Sequence, residues 1–216
     1  MSEFLIAEDL ALLLLNDETG WMRGQYADIA LAGAVLTDLA LLGRVRLTEE
    51  GEQGVRPNRV VLVDDSSTDD PVLDGALLKL IGRKVRFQQT TVQLLRSYAK
   101  RAVLARLVER GILEQREVRV FVVVPMKTYP TVDYSHEDEL RRRLFRVLVQ
   151  NEEPSVRDAC LIALLSALNL AAKTIADDVS TIDKRAIRQR AKQLRRQHWA
   201  AEAAYRVIQA QAAASA

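Results

Sequence analysis

Residues 5–47 read LIAEDLALLLLNDETGWMRGQYADIALAGAVLTDLALLGRVRL. Two apolar helical patterns flank a Gly20/Gly24 loop, and the second pattern stops at a Gly–Arg step that opens a strand. From Glu8 to Leu15 an acidic start leads into a nearly unbroken apolar run. Carboxylates suit the positive end of a helix dipole, and a helix that is apolar on most sides has to be buried. Asn16-Asp17-Glu18-Thr19-Gly20 is a turn signal. From Tyr26 onward Ile29, Ala30, Ala34, Leu36, Leu39, Ala40 and Leu42 recur near helical spacing. Gly43 fits a helix stop, and Arg44-Val45-Arg46-Leu47 alternates as a half-buried strand does.

The remaining chain predicts more helices and two short hairpins. Arg59–Val63 is expected to pair with Arg44–Leu47 around the loop Glu49–Pro57, followed by an acidic, serine-rich loop, Asp64–Pro71. Helices are predicted over 72–82 and 89–110, the latter ended by Gly111. A second hairpin is expected from Ile112–Glu114, a turn near Gln115-Arg116, and Val118–Val124. Helices then follow at 137–150, 154–168, 169–177, 180–197 and 199–213. The fold class is mostly α, a compact helical domain with short antiparallel β-hairpins. At 216 residues it is read as a single domain over 1–216.

Val118 to Met126 is β-branched, aromatic and uncharged after Arg119. Pro125 has no N–H, so it ends the strand or lies at an edge. One reading is a buried strand; the sharper one is a hairpin whose apolar tip, near Val124–Tyr129, projects outward as an interaction patch.

Charge is unevenly distributed. Residues 1–80 hold 6 Lys+Arg and 15 Asp+Glu, a net −9, whereas 81–216 hold 25 and 14, a net +11. A chain polarised in this way is expected to turn its later part toward something anionic, unless the two parts balance within one fold. Arg96 and Lys100 share a helix face. Arg141, Arg142, Arg143 and Arg146 cluster on a second helix, and Arg185, Arg188, Lys192 and Arg195 form a stripe on a third. Cys160 is the only cysteine and reads as buried, which leaves no disulfide framework. Acidic residues at 3, 8 and 9 argue against a signal peptide. No apolar run approaches the ~20 residues of a membrane span, so the expectation is a cytoplasmic protein peripherally associated with the cytosolic face of a membrane. No catalytic or cofactor motif stands out. His136 and His198 lack metal-ligand spacing with Cys160, and His136 is read as a capping or exposed residue. The Asp64-Asp65 and Asp69-Asp70 pairs are read as an acidic loop. Neither an enzyme nor a metal or cofactor site is expected.

The ordered combination of the opening segment with Val72-Leu73-Asp74-Gly75-Ala76-Leu77, Leu107-Val108-Glu109-Arg110-Gly111-Ile112-Leu113 and Tyr129-Pro130 resembles the Golgi phosphoprotein 3 family. In that family a helix like LxxEDLxLLLL precedes a glycine loop, and a second helix ends in LxELALxGRLxL. The composition, rich in Ala, Leu, Val and Arg, suits a bacterial member. The resemblance implies an adaptor that binds phosphatidylinositol 4-phosphate through a tryptophan and three arginines and contacts the cytosolic tails of membrane proteins. Its hairpin would serve membrane contact and homo-oligomer formation, which here implicates Phe121, Val122, Val123, Val124 and Met126.

Transferred without gaps, the family tryptophan falls on Arg23, with Trp21 two positions away, and one arginine becomes Ala32. The other two arginines fall on Ser97 and Lys100 in one register, or on Arg96 and Ala99 in another. The candidate headgroup set is therefore Trp21, Arg23, Arg96 and Lys100, facing an anionic phospholipid surface. A second reading is a winged-helix-like DNA-binding protein that uses helix 89–110 and hairpin 112–125. It ranks behind the first, because a wing facing DNA should be basic and this one is apolar.

Overall fold

The computed structural model describes residues 3–16, 19–82, 86–120, 124–176 and 183–214. Its helices are α1 (Ile6–Leu14), α2 (Ala27–Leu41), α3 (Pro71–Leu80), α4 (Gln88–Glu109), α5 (Ser135–Val149), α6 (Val156–Ala167), α7 (Ala171–Ala176), α8 (Lys184–Gln197) and α9 (Trp199–Ala214). Its strands are β1 (Val45–Leu47), β2 (Arg59–Leu62), β3 (Arg86–Phe87), β4 (Arg116–Val120) and β5 (Val124–Thr128). The mostly helical class read from the sequence is the class observed.

α2 lies at the centre. Its Ala- and Leu-rich surface is apolar on nearly every side, so it has to be enclosed; it packs against α1, α3, α4, α6 and α9. α1 is buried along its whole length, including Glu8 and Asp9. Its N-terminal residue Leu5 has no capping side chain, and the orphan amides of the first turn are satisfied from elsewhere. Asp38 on α2 accepts from the amides of Ile6 and Ala7 at 2.9 and 3.1 Å, and Glu8 accepts from Leu5 N at 2.9 Å. A buried carboxylate from the neighbouring helix thus replaces a local cap. One hydrophobic cluster draws on all nine of these helices.

α2 and α4 end in the same way. Gly43 and Gly111 adopt left-handed φ of +68° and +72°. In each case the next amide reaches back to the helix, Arg44 N to Leu39 O at 2.9 Å and Ile112 N to Leu107 O at 3.0 Å. This is the Schellman closure, which a residue with a Cβ adopts at a cost. After Gly43 the chain enters β1, which pairs antiparallel with β2 as Val45↔Leu62. β3, two residues long, joins the far edge of β2 as Arg59↔Phe87; a strand so short leaves no periodic signal.

The second hairpin differs from its expected position. β4 pairs with β5 in the register Val118↔Met126, Arg119↔Pro125 and Val120↔Val124, so Val124–Thr128 is the returning strand and not the tip. Phe121, Val122 and Val123, which connect the two strands, lie outside the described residues. Ile112–Glu114 does not fold back at Gln115. Leu113 bridges Thr131, and Glu114 N donates to Pro130 O at 3.0 Å. A two-stranded ribbon has a free edge on each strand, so Pro125 sits in β5 without leaving a ladder bond unmade.

Candidate headgroup site and hairpin

The loop between α1 and α2 is built by its own backbone. Leu15 bridges Met22, Asn16 N donates to Trp21 O at 2.8 Å, and Arg23 N donates to Leu14 O at 2.6 Å. Asn16 Oδ1 accepts from Thr19 N and Thr19 Oγ1 at 2.8 and 2.7 Å, which closes the turn. In extended backbone, residues i and i+2 share a side. Met22 packs against the core, so Trp21 and Arg23 are directed away from it. Trp21 is 37% exposed.

This loop is fastened to the base of the hairpin. Tyr129 N donates to Gly20 O at 2.9 Å. Gly20 has φ +66°, and a Cβ there would lie 2.5 Å from Pro130 N and 2.6 Å from Tyr129 N. Both the left-handed conformation and the close backbone approach require glycine. Trp21 is therefore held one residue from the contact that anchors β5, although 108 residues of sequence separate Trp21 from Tyr129. On the ribbon, the cross-strand pair Val118 and Met126 is exposed at 37% and 38%.

Arg96 and Lys100 do lie one turn apart on α4, but their circumstances differ. Arg96 Nε donates to Asp28 Oδ2 in the first turn of α2, and its Nη1 donates to Gln211 Oε1 at 3.3 Å. Lys100 is exposed. Asp28 follows Arg23 by five residues, so the Arg96–Asp28 pair sets the α4 cations beside the helix into which the Trp21–Arg23 loop leads. Among the described residues, no hydrogen bond or ion pair joins Trp21 or Arg23 directly to Arg96 or Lys100. The carboxylate of Asp28 competes with any anionic ligand for Arg96; with 68 residues between the two, no local pattern announces it.

Other basic clusters are sorted by the fold. Arg141 engages Glu137 and Thr174 O, Arg143 engages Asp158, and Arg146 engages Glu152. Arg142 is exposed and, among the described residues, donates to the Asp138 carbonyl alone. On α8, Arg195 does not belong to the exposed stripe. It is 5% exposed, pairs with Glu202 at 3.2 Å and stacks 3.4 Å over the Tyr205 ring. Arg196 takes its place in the stripe.

α4 does not act as an exposed recognition helix. Arg106 meets Glu8 at 3.2 Å and also Asp70, and Arg110 meets Glu8 at 3.1 Å and stacks over Phe4. The DNA-binding alternative loses Arg106 and Arg110 to these internal carboxylates, and its supposed wing is the displaced ribbon 116–128.

The titratable groups outside these surfaces are structural. His136 does not cap a helix: its Nε2 lies 2.7 Å from Asp9 Oδ1, and its ring stacks on Phe4 at 3.7 Å. Cys160 Sγ lies 3.4 Å from His198 Nδ1, a contact their spacing does not reveal. Burial pushes the thiol up to about 11 and lowers His198, so both groups favour their neutral forms and a thiolate nucleophile is disfavoured. Asp70 caps α3, and Asp64 accepts from Ser66 and Arg44. Among the described residues, no group of three or more His, Cys, Asp or Glu is placed to hold a metal ion. None of the described helices is long and apolar enough to cross a membrane.

Comparison with known proteins agrees with this architecture. Two curated relatives are both called vacuolar protein sorting-associated protein 74. The one from Eremothecium gossypii is 28% identical over 162 residues, covering 67% of this chain and 49% of the relative. The one from Schizosaccharomyces pombe is 26% identical over 197 residues, covering 81% and 58%. The chain thus spans about half the length of these relatives. The family model described as Golgi phosphoprotein 3 (GPP34) matches residues 6–211, nearly the whole chain. The chain belongs to the Golgi phosphoprotein 3 family.

Proposed function

We propose that this chain is a non-enzymatic peripheral membrane adaptor, folded as one domain over 1–216, that binds anionic phospholipid headgroups at the cytosolic face of a membrane. The observation that carries the reading is the Gly20–Tyr129 junction. It fastens the loop that displays Trp21 and Arg23 to the base of the ribbon, so one approach to a bilayer presents an indole, cationic donors and an apolar strand pair together. The indole is suited to the headgroup level, and Arg23 and Lys100, with Arg96 once released from Asp28, supply phosphate donors. Family membership and the vacuolar sorting designation of the relatives support a role in membrane trafficking. By the same analogy the protein partners are tails of membrane proteins, and the hairpin residues Phe121–Val124 and Met126 serve insertion or self-association. Weak terms of charge, apolar contact and avidity combine to hold it at the membrane.

The test is cosedimentation with phosphatidylcholine vesicles, alone or carrying phosphatidylinositol 4-phosphate or phosphatidylserine. The expected result is retention by the anionic vesicles only, with the phosphoinositide preferred. Equal absence from all three, for a folded protein, rejects the reading.

A further inference from the structure

α8 contains seven basic residues and no carboxylate. The fold uses two of them: Arg190 donates to Asn151 and to Glu152 O, tying α8 to the α5–α6 connection, and Arg195 is buried against Glu202 and Tyr205. Arg185, Arg188, Lys192 and Arg196 are exposed, and among the described residues none has an ion-pair or side-chain hydrogen-bond partner. At 3.6 residues per turn these four positions fall within about 80° around the axis and span about 16 Å along it. Ile187 and Ala191, on the opposite side, are buried. Like charges at i, i+4 weaken a helix by a few tenths of a kcal/mol each, and no contact within the described fold offsets that repulsion.

The surroundings favour a bilayer over other polyanions. Residues flanking the row on the exposed side are Ala186, Gln189 and Gln193, which offer no aromatic anchor of the kind that dominates protein interfaces. α5 packs beside α8 and carries the exposed Arg142. Arg141, Arg142, Phe145 and Arg146 of α5 and Ile175 of α7 line an open groove of about 380 Å³. A groove that mixes guanidinium groups with apolar side chains suits an amphipathic lipid better than a uniformly charged nucleic-acid backbone.

We propose that the outer face of α8 is a second membrane contact that responds to surface charge and not to headgroup identity; the inference rests on the peripheral membrane reading. The test compares the wild-type chain with Arg188→Gln/Lys192→Gln and with Arg185→Gln/Arg196→Gln in vesicle flotation. The vesicles are phosphatidylcholine with phosphatidylserine, or with phosphatidylinositol 4-phosphate, at matched charge. Each double variant is expected to lose roughly 30-fold in partitioning on both anionic vesicles, with an unchanged thermal midpoint. Trp21→Ala, by contrast, is expected to lower binding to the phosphoinositide vesicles alone. Wild-type partitioning by either double variant overturns the α8 assignment and leaves the adaptor reading intact. Failure of the wild-type chain on both anionic vesicles overturns both. A double variant that keeps vesicle binding but loses binding to duplex DNA or to an acidic peptide reassigns the face to that partner and also overturns the proposal.

Discussion

α1 and α8 are both short and both rich in charge relative to what a buried or a neutral surface helix tolerates, yet the fold treats them in opposite ways. α1 is enclosed on all sides, and its carboxylates are matched one by one: Glu8 by Arg106 and Arg110, Asp9 by His136 and Arg157, and the helix start by Asp38. α8 turns only one side inward and leaves four cations in solvent. Charge in a low-dielectric interior has to be paired, because an unpaired ion there costs several kcal/mol. Charge at the surface needs no partner and contributes little to stability. The difference separates residues that build the molecule from residues left available for something outside it.

Five substitutions test this contrast and the junctions around it. Glu8→Ala leaves Arg106 and Arg110 facing a void inside the core. The expected loss is about 3–5 kcal/mol of unfolding free energy, read by urea titration, and a loss under 1 kcal/mol would mean the network holds nothing. Asp38→Asn removes one of two acceptors from buried amides, with an expected loss of about 1–2 kcal/mol.

The Asp38 substitution also has a pH signature. Burial raises the Asp38 carboxyl from 3.8 to about 7, so the folded state holds that proton more tightly than the unfolded chain does. Its stabilising effect is full below pH 4, declines as pH rises toward 7, and is flat above. The stability advantage of wild type over Asp38→Asn is therefore expected to shrink from pH 4 to pH 7; an advantage that grew over that range would contradict the assignment.

Gly20→Ala places a Cβ against the Tyr129–Pro130 backbone at a left-handed φ. Its expected cost is about 1–3 kcal/mol, with vesicle binding reduced because the loop and the ribbon no longer meet. Full binding by a folded Gly20→Ala would uncouple the two elements. Asp28→Asn is milder. The Arg96 pair is partly exposed, so its loss costs less than about 1 kcal/mol. Release of Arg96 is expected to raise affinity for anionic vesicles a few-fold, and a decrease would show that Asp28 positions Arg96 instead of competing for it. At the small end, Arg188→Gln on the exposed row is expected to move stability by no more than about 0.5 kcal/mol in calorimetry. A larger loss would make α8 a structural element like α1.

Much of the architecture is legible in local pattern. The apolar saturation of α1 and α2, the Gly43 and Gly111 stops and the first hairpin follow from spacing and from the chemistry of glycine. The second hairpin was displaced because an unbroken run from Val118 to Val124 reads as one strand and Pro125 reads as its end. The register is set instead by the long-range bonds of Glu114 to Pro130 and of Tyr129 to Gly20. Helical spacing alone places Arg195 near the face of the exposed stripe. Only the return of α9, carrying Glu202 and Tyr205, turns it inward.

For the candidate site, the sequence singled out Trp21, Arg23, Arg96 and Lys100 but was silent on Asp28. Helical periodicity carries information over a few residues, whereas an ion pair across 68 residues depends on which helix faces meet.

By itself, then, the sequence determined which segments are helical, where two of them stop, and which family the chain resembles, since backbone propensity, burial of apolar faces and left-handed glycines are local properties. Tertiary structure alone decided which charges are free. An arginine has the same reach and the same charge in α4 as in α8, and only the packing of α1, α2 and α9 around it determines whether a carboxylate stands within hydrogen-bond distance.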